Sequence, residues 1–236
     1  MATLQKKNHF YSELMHLVVP IAVQSFMLAL VSVTDAVMLG RLDQQSMASV
    51  SQAGNVQFFL SLLVTGFSIG VGIMAAQYWG KRAGKSIAKL APTCLRIVLV
   101  LRGAVTLAAL FAPRTLMAIL TNDPVLIPLG ADYLRVVAPS YFLCGIMEVC
   151  GGMVRGLGNS WLPMVVTIFG ACVMRIVWIY TIFAWKHTLP ALYVSYPISW
   201  VITAAMHVVC FVYFWKRIRR KLEQTAPAAA DIRKES

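Results

Sequence analysis

Six apolar blocks, each about 20 residues or longer, divide this sequence: roughly 14–39, 53–78, 92–112, 134–154, 162–185 and 191–215. A helix needs about 20 apolar residues to cross a bilayer core about 30 Å thick. Buried helices of soluble proteins are shorter and are flanked by amphipathic ones. The alternating ten-residue segments of a membrane barrel are absent from the sequence. Hydrophobic residues make up 59% of the chain and charged residues 13%, against about 25% charge in a soluble domain. The sequence therefore predicts an all-α integral membrane protein with six transmembrane helices. The first block is too long for a cleavable signal peptide and no small-residue cleavage site follows it, so it is expected to remain as a helix. We divide the chain into an N-terminal segment (1–13), a membrane domain (14–218) and a polar, Ala-rich tail (219–236) expected to be disordered.

The net charge of +12 reads mainly as a topology signal. Lys6 and Lys7 precede the first block, and Lys81, Arg82, Lys85 and Lys89 separate the second from the third. Arg155 follows the fourth, and Lys216, Arg217, Arg219, Arg220 and Lys221 follow the sixth. The alternate joints are poorer: Arg41 is alone in "GRLDQQSMA", Lys186 is alone in "KHTLP", and Arg114 and Arg135 flank "TNDPV". Basic residues collect on the cytoplasmic side of membranes. Both termini and the joints near 80–91 and 156–161 are then expected to be cytoplasmic, in a multi-pass protein of the cell membrane. The basic tail abuts a span and has no interleaved aromatics, so anionic lipid fits it better than nucleic acid. Cys94, Cys144, Cys150, Cys172 and Cys210 all fall within blocks, with neither metal-ligand spacing nor a disulfide framework, and read as small packing residues.

Polar residues inside the blocks carry the functional expectations. An aspartate at the centre of a span costs about 2.5–3.5 kcal/mol on insertion scales and less near the interface, so Asp35 should face protein or a wet cavity. Gln24, Val31 and Asp35 share one helix face, and Pro20 is nearby and should bend the helix. Desolvation disfavours the charged form of a carboxyl, so a sheltered Asp35 could exchange a proton or a sodium ion and couple that exchange to a conformational change. A plain loop-capping aspartate is the other reading. Glu148 and Arg175 lie near mid-span in the fourth and fifth blocks; they could pair with each other, or Arg175 could reach Asp35. Arg96 can snorkel to the cytoplasmic face, whereas Arg102 sits deeper and needs a protein partner. Gly66 with Gly70, and Gly152 with Gly156, have the four-residue spacing that lets helices approach closely. His16 and His207 read as hydrogen-bonded packing residues.

One enzyme pattern is present. "GFSIG" matches G-x-S-x-G, and an intramembrane serine hydrolase would use Ser68 with His207 or His16 as base. That motif belongs to a strand–turn–helix context, and here it falls within an apolar block. No P-loop, dinucleotide fingerprint or zinc-protease motif appears, so transport by this chain would not be driven by ATP bound to it.

"VVPIAVQSFMLALVSVTDAVMLGRL" followed by "GFSIGVGIMAAQYWGK" resembles the start of multidrug and toxic compound extrusion (MATE) transporters. "APSYFLCGIMEVCGGMVRGLGNSWLPM", "MRIVWIY" and "YPISW" extend the resemblance to about residue 215. It implies a secondary antiporter, not an enzyme, that exports organic cations or other drugs in exchange for Na+ or H+ without a further cofactor. It also implies that Asp35 is the first-helix coupling acid, that Pro20 is where that helix bends, and that Gln24 faces the substrate cavity; Glu148 and Arg175 are further cavity candidates. The family has twelve helices in two lobes, whereas this sequence resembles the start of the first lobe up to about residue 135 and the end of the second from about 138. We read this as one lobe produced by an internal deletion at "DYLRVVAP". A homodimer would then complete the cavity. The alternative is a remnant that keeps the fold without transport.

Overall fold

The computed structural model describes residues 2–185 and 188–232, and among these it contains helices and no strands. Lys186 and residues 233–236 lie outside the described residues. The helices are α1 (Ala2–Leu42), α2 (Gln44–Gly80), α3 (Gly84–Phe111), α4 (Pro113–Leu120), α5 (Leu126–Val137), α6 (Tyr141–Gly156), α7 (Trp161–Thr167), α8 (Met174–Trp178) and α9 (Leu189–Ile232). A 3₁₀ turn, Ala138–Ser140, joins α5 to α6, and π turns at Ile168–Val173 and Ile179–Phe183 bracket α8. Six stretches are long and apolar enough to cross a membrane: Tyr11–Val37, Gln44–Gly80, Gly84–Phe111, Leu126–Gly156, Trp161–Phe183 and Leu189–Arg220. They are the six expected blocks, several of them longer.

The fourth span is the centre of the bundle. Of its most apolar window 56% is buried, against 11–33% for the other five. Its α6 packs on α2, α3 and α9. The first span is the least buried, at 11%, and meets the bundle through a narrow stripe: Pro20, Val31, Asp35 and Leu39 are buried, with Gln24 half-buried between them. α1 runs through Pro20 as one helix. Two apolar cores stack along the bundle. One gathers Leu39, Met117, Tyr133, Phe183 and Leu192, the other Val71, Ile87, Leu157 and Ile218. The joints after the second and fourth spans and the end of the sixth therefore lie at one end of the molecule, as alternation of six spans requires.

Close helix crossings rest on particular glycines. A Cβ on Gly72 would lie 3.2 Å from the Gly152 carbonyl oxygen, and one on Gly152 would lie 3.1 Å from the Ser68 carbonyl oxygen. α2 and α6 thus touch backbone to backbone. The pair Gly152 and Gly156 makes the predicted tight contact, whereas a Cβ at Gly66 or Gly70 would meet nothing within 4 Å.

Two features depart from the sequence reading. Residues 113–133 contain α4, begun by Pro113 at its first turn, and the start of α5. Pro suits that position because its missing N–H would be unpaired there anyway. The stretch 219–232, expected to be disordered, continues α9; its alanines are the best helix formers.

The α1–α2 joint is fixed by Asp43, whose side chain accepts the Ser46 amide at 3.1 Å and the Ser46 hydroxyl at 3.1 Å. The Ser46 amide holds the Asp43 carboxyl below the ordinary carboxylate range. A folded-state value below the unfolded one means that the cap stabilises fully at neutral pH and fades as pH falls through the lowered value. Thermal melts should therefore show Asp43→Asn, which keeps a capping oxygen, losing this acid-range dependence, and Asp43→Ala less stable than the parent at neutral pH.

Candidate functional site

Asp35 is 5% exposed, on the buried stripe of α1. Arg175 Nη1 donates to Asp35 Oδ2 at 2.7 Å. The Tyr196 hydroxyl donates to the same oxygen at 3.2 Å, and the ring of Tyr196 lies under the guanidinium, with Arg175 Cζ 3.7 Å from its centroid. One aromatic side chain thus holds both charges: its hydroxyl fixes the acid and its face fixes the base. Tyr133 meets Tyr196 edge-on at 5.6 Å between ring centroids, and Tyr196 meets Trp200 edge-on at 6.0 Å. Asp35 Oδ1 and Arg175 Nε are buried with no hydrogen-bond partner among the described residues.

Local structure explains why Arg175 reaches α1. It lies on the short α8, between two π turns. A π turn inserts a residue and re-aims the side chains beyond it, and such turns recur at functional sites. The pair borders a half-open crevice of about 390 Å³, lined also by Ser32, Ser51, Gln57, Tyr133, Tyr196 and Trp200. That volume is within the range of small-molecule sites.

Of the sequence candidates, Asp35 and Arg175 come together and Glu148 goes elsewhere. Glu148 Oε1 accepts Arg102 Nη2 at 2.8 Å, and Arg102 Nη1 donates to Ser61 at 2.9 Å. Arg102 is 1% exposed, so this pair supplies the partner that its depth required, and the alternative pairing of Glu148 with Arg175 is not formed. The reason is Gly145, one turn before Glu148. A Cβ there would lie 2.9 Å from Arg102 Cγ, so the missing side chain lets the arginine stem lie across α6. Glu148 is not among the residues lining the crevice.

Gln24 is also apart from the crevice. Eleven residues place it about 16 Å along the helix from Asp35. Its Nε2 donates to Thr167 Oγ1 at 3.1 Å, and that hydroxyl donates to the Pro163 carbonyl at 2.8 Å and lies 3.2 Å from His207 Nε2. With its single proton given to Pro163, Thr167 accepts from His207, which places the ring proton on Nε2. Pro20 is fully buried one turn before Gln24. Ser68 Oγ is buried with no hydrogen-bond partner among the described residues. His207 is engaged with Thr167, and His16 lies beside Trp161 with ring centroids 6.1 Å apart. The nucleophile–base contact that a hydrolase needs is therefore not made. Tyr196, Tyr133 and Trp200 were not singled out by the sequence reading; a tyrosine one turn before a tryptophan in "YPISW" was the available sign.

The MatE family model matches residues 20–181, more than two thirds of the chain. The Vibrio cholerae MATE transporter VcmN in its bent form has TM-score 0.79 at 15% identity, covering 86% of this chain and 46% of that one. An outward-facing multidrug resistance MATE family transporter of the MOP superfamily has TM-score 0.75 at 21% identity, with coverages of 83% and 43%. A MOP superfamily transporter from Pyrococcus furiosus, described for the reverse polarity of its binding pocket, has TM-score 0.72 at 20% identity, with coverages of 88% and 45%. No match is found among curated proteins. The chain spans less than half the length of these solved transporters and shares their fold over most of its own length. The six-span bundle is one lobe of that architecture, and the chain belongs to the MatE family.

Proposed function

We propose that this chain works as one lobe of a secondary transporter that exports organic cations or other amphipathic drugs, with Asp35 as the residue where the coupling ion acts. The observation that carries this reading is a buried carboxyl at the wall of a small-molecule-sized crevice, with one oxygen free of partners among the described residues. A proton is the ion that this geometry favours over sodium. A proton needs one oxygen, and Oδ1 offers it. A sodium ion needs several oxygens and would sit beside a guanidinium 2.7 Å from the other carboxylate oxygen, where like charges repel in a low-dielectric site. Protonation would loosen the tie between α1 and α8, and Pro20 would give α1 a place to bend.

Transport of this kind moves one repeat against another. A second copy of the chain would supply the facing surface, with α1, the least buried span, alongside the opening. The end carrying Lys81, Arg82, Lys85, Lys89 and Lys216 is assigned to the cytoplasm on the basic-residue rule, and the plasma membrane is the expected site.

The test is drug accumulation in cells expressing this chain, at two external pH values and two sodium concentrations. Export should follow pH and ignore sodium. Asp35→Asn should remove the pH-driven component when export is compared at matched membrane levels of the protein. Asp35→Asn with Arg175→Gln, which leaves no unpaired charge, should insert normally and be equally inactive. Undiminished export by either variant would defeat the assignment.

A further inference from the structure

The second and third spans carry basic residues and no acid of their own. Between Asp43 and Asp123 the sequence holds no carboxylate. The helices packed on α3 bring two, Asp132 of α5 and Glu148 of α6, and these hold Arg135 at 3.0 Å and Arg102 at 2.8 Å. Lys85, Lys89 and Arg96 of α3 are exposed and belong to none of the ion pairs formed among the described residues. Basic residues at the edge of a membrane are ordinary. Arg96 is not at the edge. It lies about 18 Å along α3 from Gly84, inside the apolar block that starts near residue 92. An exposed guanidinium at that depth calls for an anion beside it.

The face that Arg96 occupies has the outline of a lipid. Lys85, Lys89, Arg96, Gly103 and Leu107 fall within about 40° of one another around α3. The first three are charged and the last two are not. The exposed residues between Lys89 and Arg96 are Pro92 and Thr93. Both are short, and the Thr93 hydroxyl is turned back onto the Lys89 carbonyl at 2.8 Å, so the way between the two cations is open. Helical side chains tilt towards the helix N-terminus. Arg96 therefore leans back towards Lys89, about 10 Å away along the axis, and a snorkelling arginine covers most of that distance. Beyond Arg96 the face turns apolar. A Cβ on Gly103 would meet nothing within 4 Å, which leaves a notch, and Val100, Leu107 and Phe111 around it are exposed.

We infer that this face of α3 is a binding site for an anionic phospholipid. Its phosphate sits on Lys89 and Arg96, Lys85 meets the rim of the headgroup, and an acyl chain lies along Gly103 and Leu107. The charge order of the face matches the charge order of the lipid, head to tail. The site is separate from the Asp35 crevice, to whose lining α3 contributes no residue. The inference therefore goes beyond the transport reading and does not depend on it.

The experiment is native mass spectrometry of the full chain in detergent, titrated with dioleoylphosphatidylglycerol, dioleoylphosphatidylcholine or inorganic phosphate. The parent should hold phosphatidylglycerol in clear preference to phosphatidylcholine, whose acyl chains are the same. Arg96→Gln and Lys89→Gln should each weaken phosphatidylglycerol about fivefold, the worth of one basic residue at an anionic lipid surface, and leave phosphatidylcholine unchanged. Arg114→Gln and Lys216→Gln remove the same charge from other exposed positions and should have no such effect. In bilayers, spin-labelled phosphatidylglycerol should show a motionally restricted population beside the parent that shrinks beside Arg96→Gln. Equal affinity of the parent for the two lipids would overturn the inference. So would equal losses in the control variants and the α3 variants, or displacement of the bound lipid by inorganic phosphate. Binding is read here without transport, so a chain that exports nothing and still selects phosphatidylglycerol defeats only the transport proposal.

Discussion

Arg102→Met should lower the unfolding free energy of the bundle by about 1–3 kcal/mol, the cost of losing a charge-assisted hydrogen bond whose carboxylate partner is only partly buried. Arg102 is 2% exposed at its side chain and Glu148 29%. Removing the arginine takes away the hydrogen-bonded partner of a partly exposed carboxylate, whose Oε2 already lacks a partner among the described residues, and leaves it the charge of Arg155. The double variant Arg102→Met with Glu148→Met should recover most of the loss, because replacing both members of a buried pair with apolar groups of similar volume is often neutral. The pair connects α3 to the central α6, and Ser61 ties α2 to the same guanidinium. Its loss should therefore appear as early separation of the third span in denaturant-driven unfolding monitored in detergent. Equal destabilisation by the single and double variants would show that the pair's charges do not matter and that only the arginine stem packs.

The six spans were legible because a bilayer imposes one length and one composition on whatever crosses it. The joints were less so. "PRTLMAIL" is too short to span and too apolar to announce a loop, and only the structure reveals it as α4. Within the spans, an ionisable residue advertises its need for a partner but not the partner's identity. Asp35, Glu148, Arg102 and Arg175 could all be recognised as costly. Which acid met which base depended on features with no local periodicity: the absent side chain at Gly145, and the two π turns that re-aim α8. Gln24 illustrates the limit of face arguments. It shares a stripe with Asp35, yet the length of the helix separates the two, and Thr167 holds Gln24. Tyr196 went unnoticed because an aromatic residue in an apolar span carries no sign of its own; only its position under a guanidinium gives it a role.

Glycine spacing misled in the same way, and this yields the second large effect. Gly66 with Gly70 and Gly152 with Gly156 are equivalent as patterns, but a Cβ at Gly156 would collide with the Gly72 carbonyl oxygen and lie 3.0 Å from Ala75 Cβ. The obstacle is largely backbone of α2, which cannot rotate away as a side chain tip can, so α2 and α6 must part. Gly156→Ala should cost about 1–3 kcal/mol, the range for overpacked cores, and Gly156→Val more, since its branches reach further into α2. Gly66→Ala should instead be neutral or stabilise by up to about 1 kcal/mol, because it meets open space and removes the conformational freedom of a mid-helix glycine. Thermal unfolding of the three variants in one detergent would check the order. Because α6 is the span on which α2, α3 and α9 all pack, the Gly156 variants should unfold as a whole rather than fray, with a lowered midpoint and an undivided transition. A Gly66→Ala variant less stable than Gly156→Ala would mean that the crossing of α2 and α6 lies elsewhere along the helices, and the positions of Ser68, Gly72 and Gly152 would have to be redrawn with it.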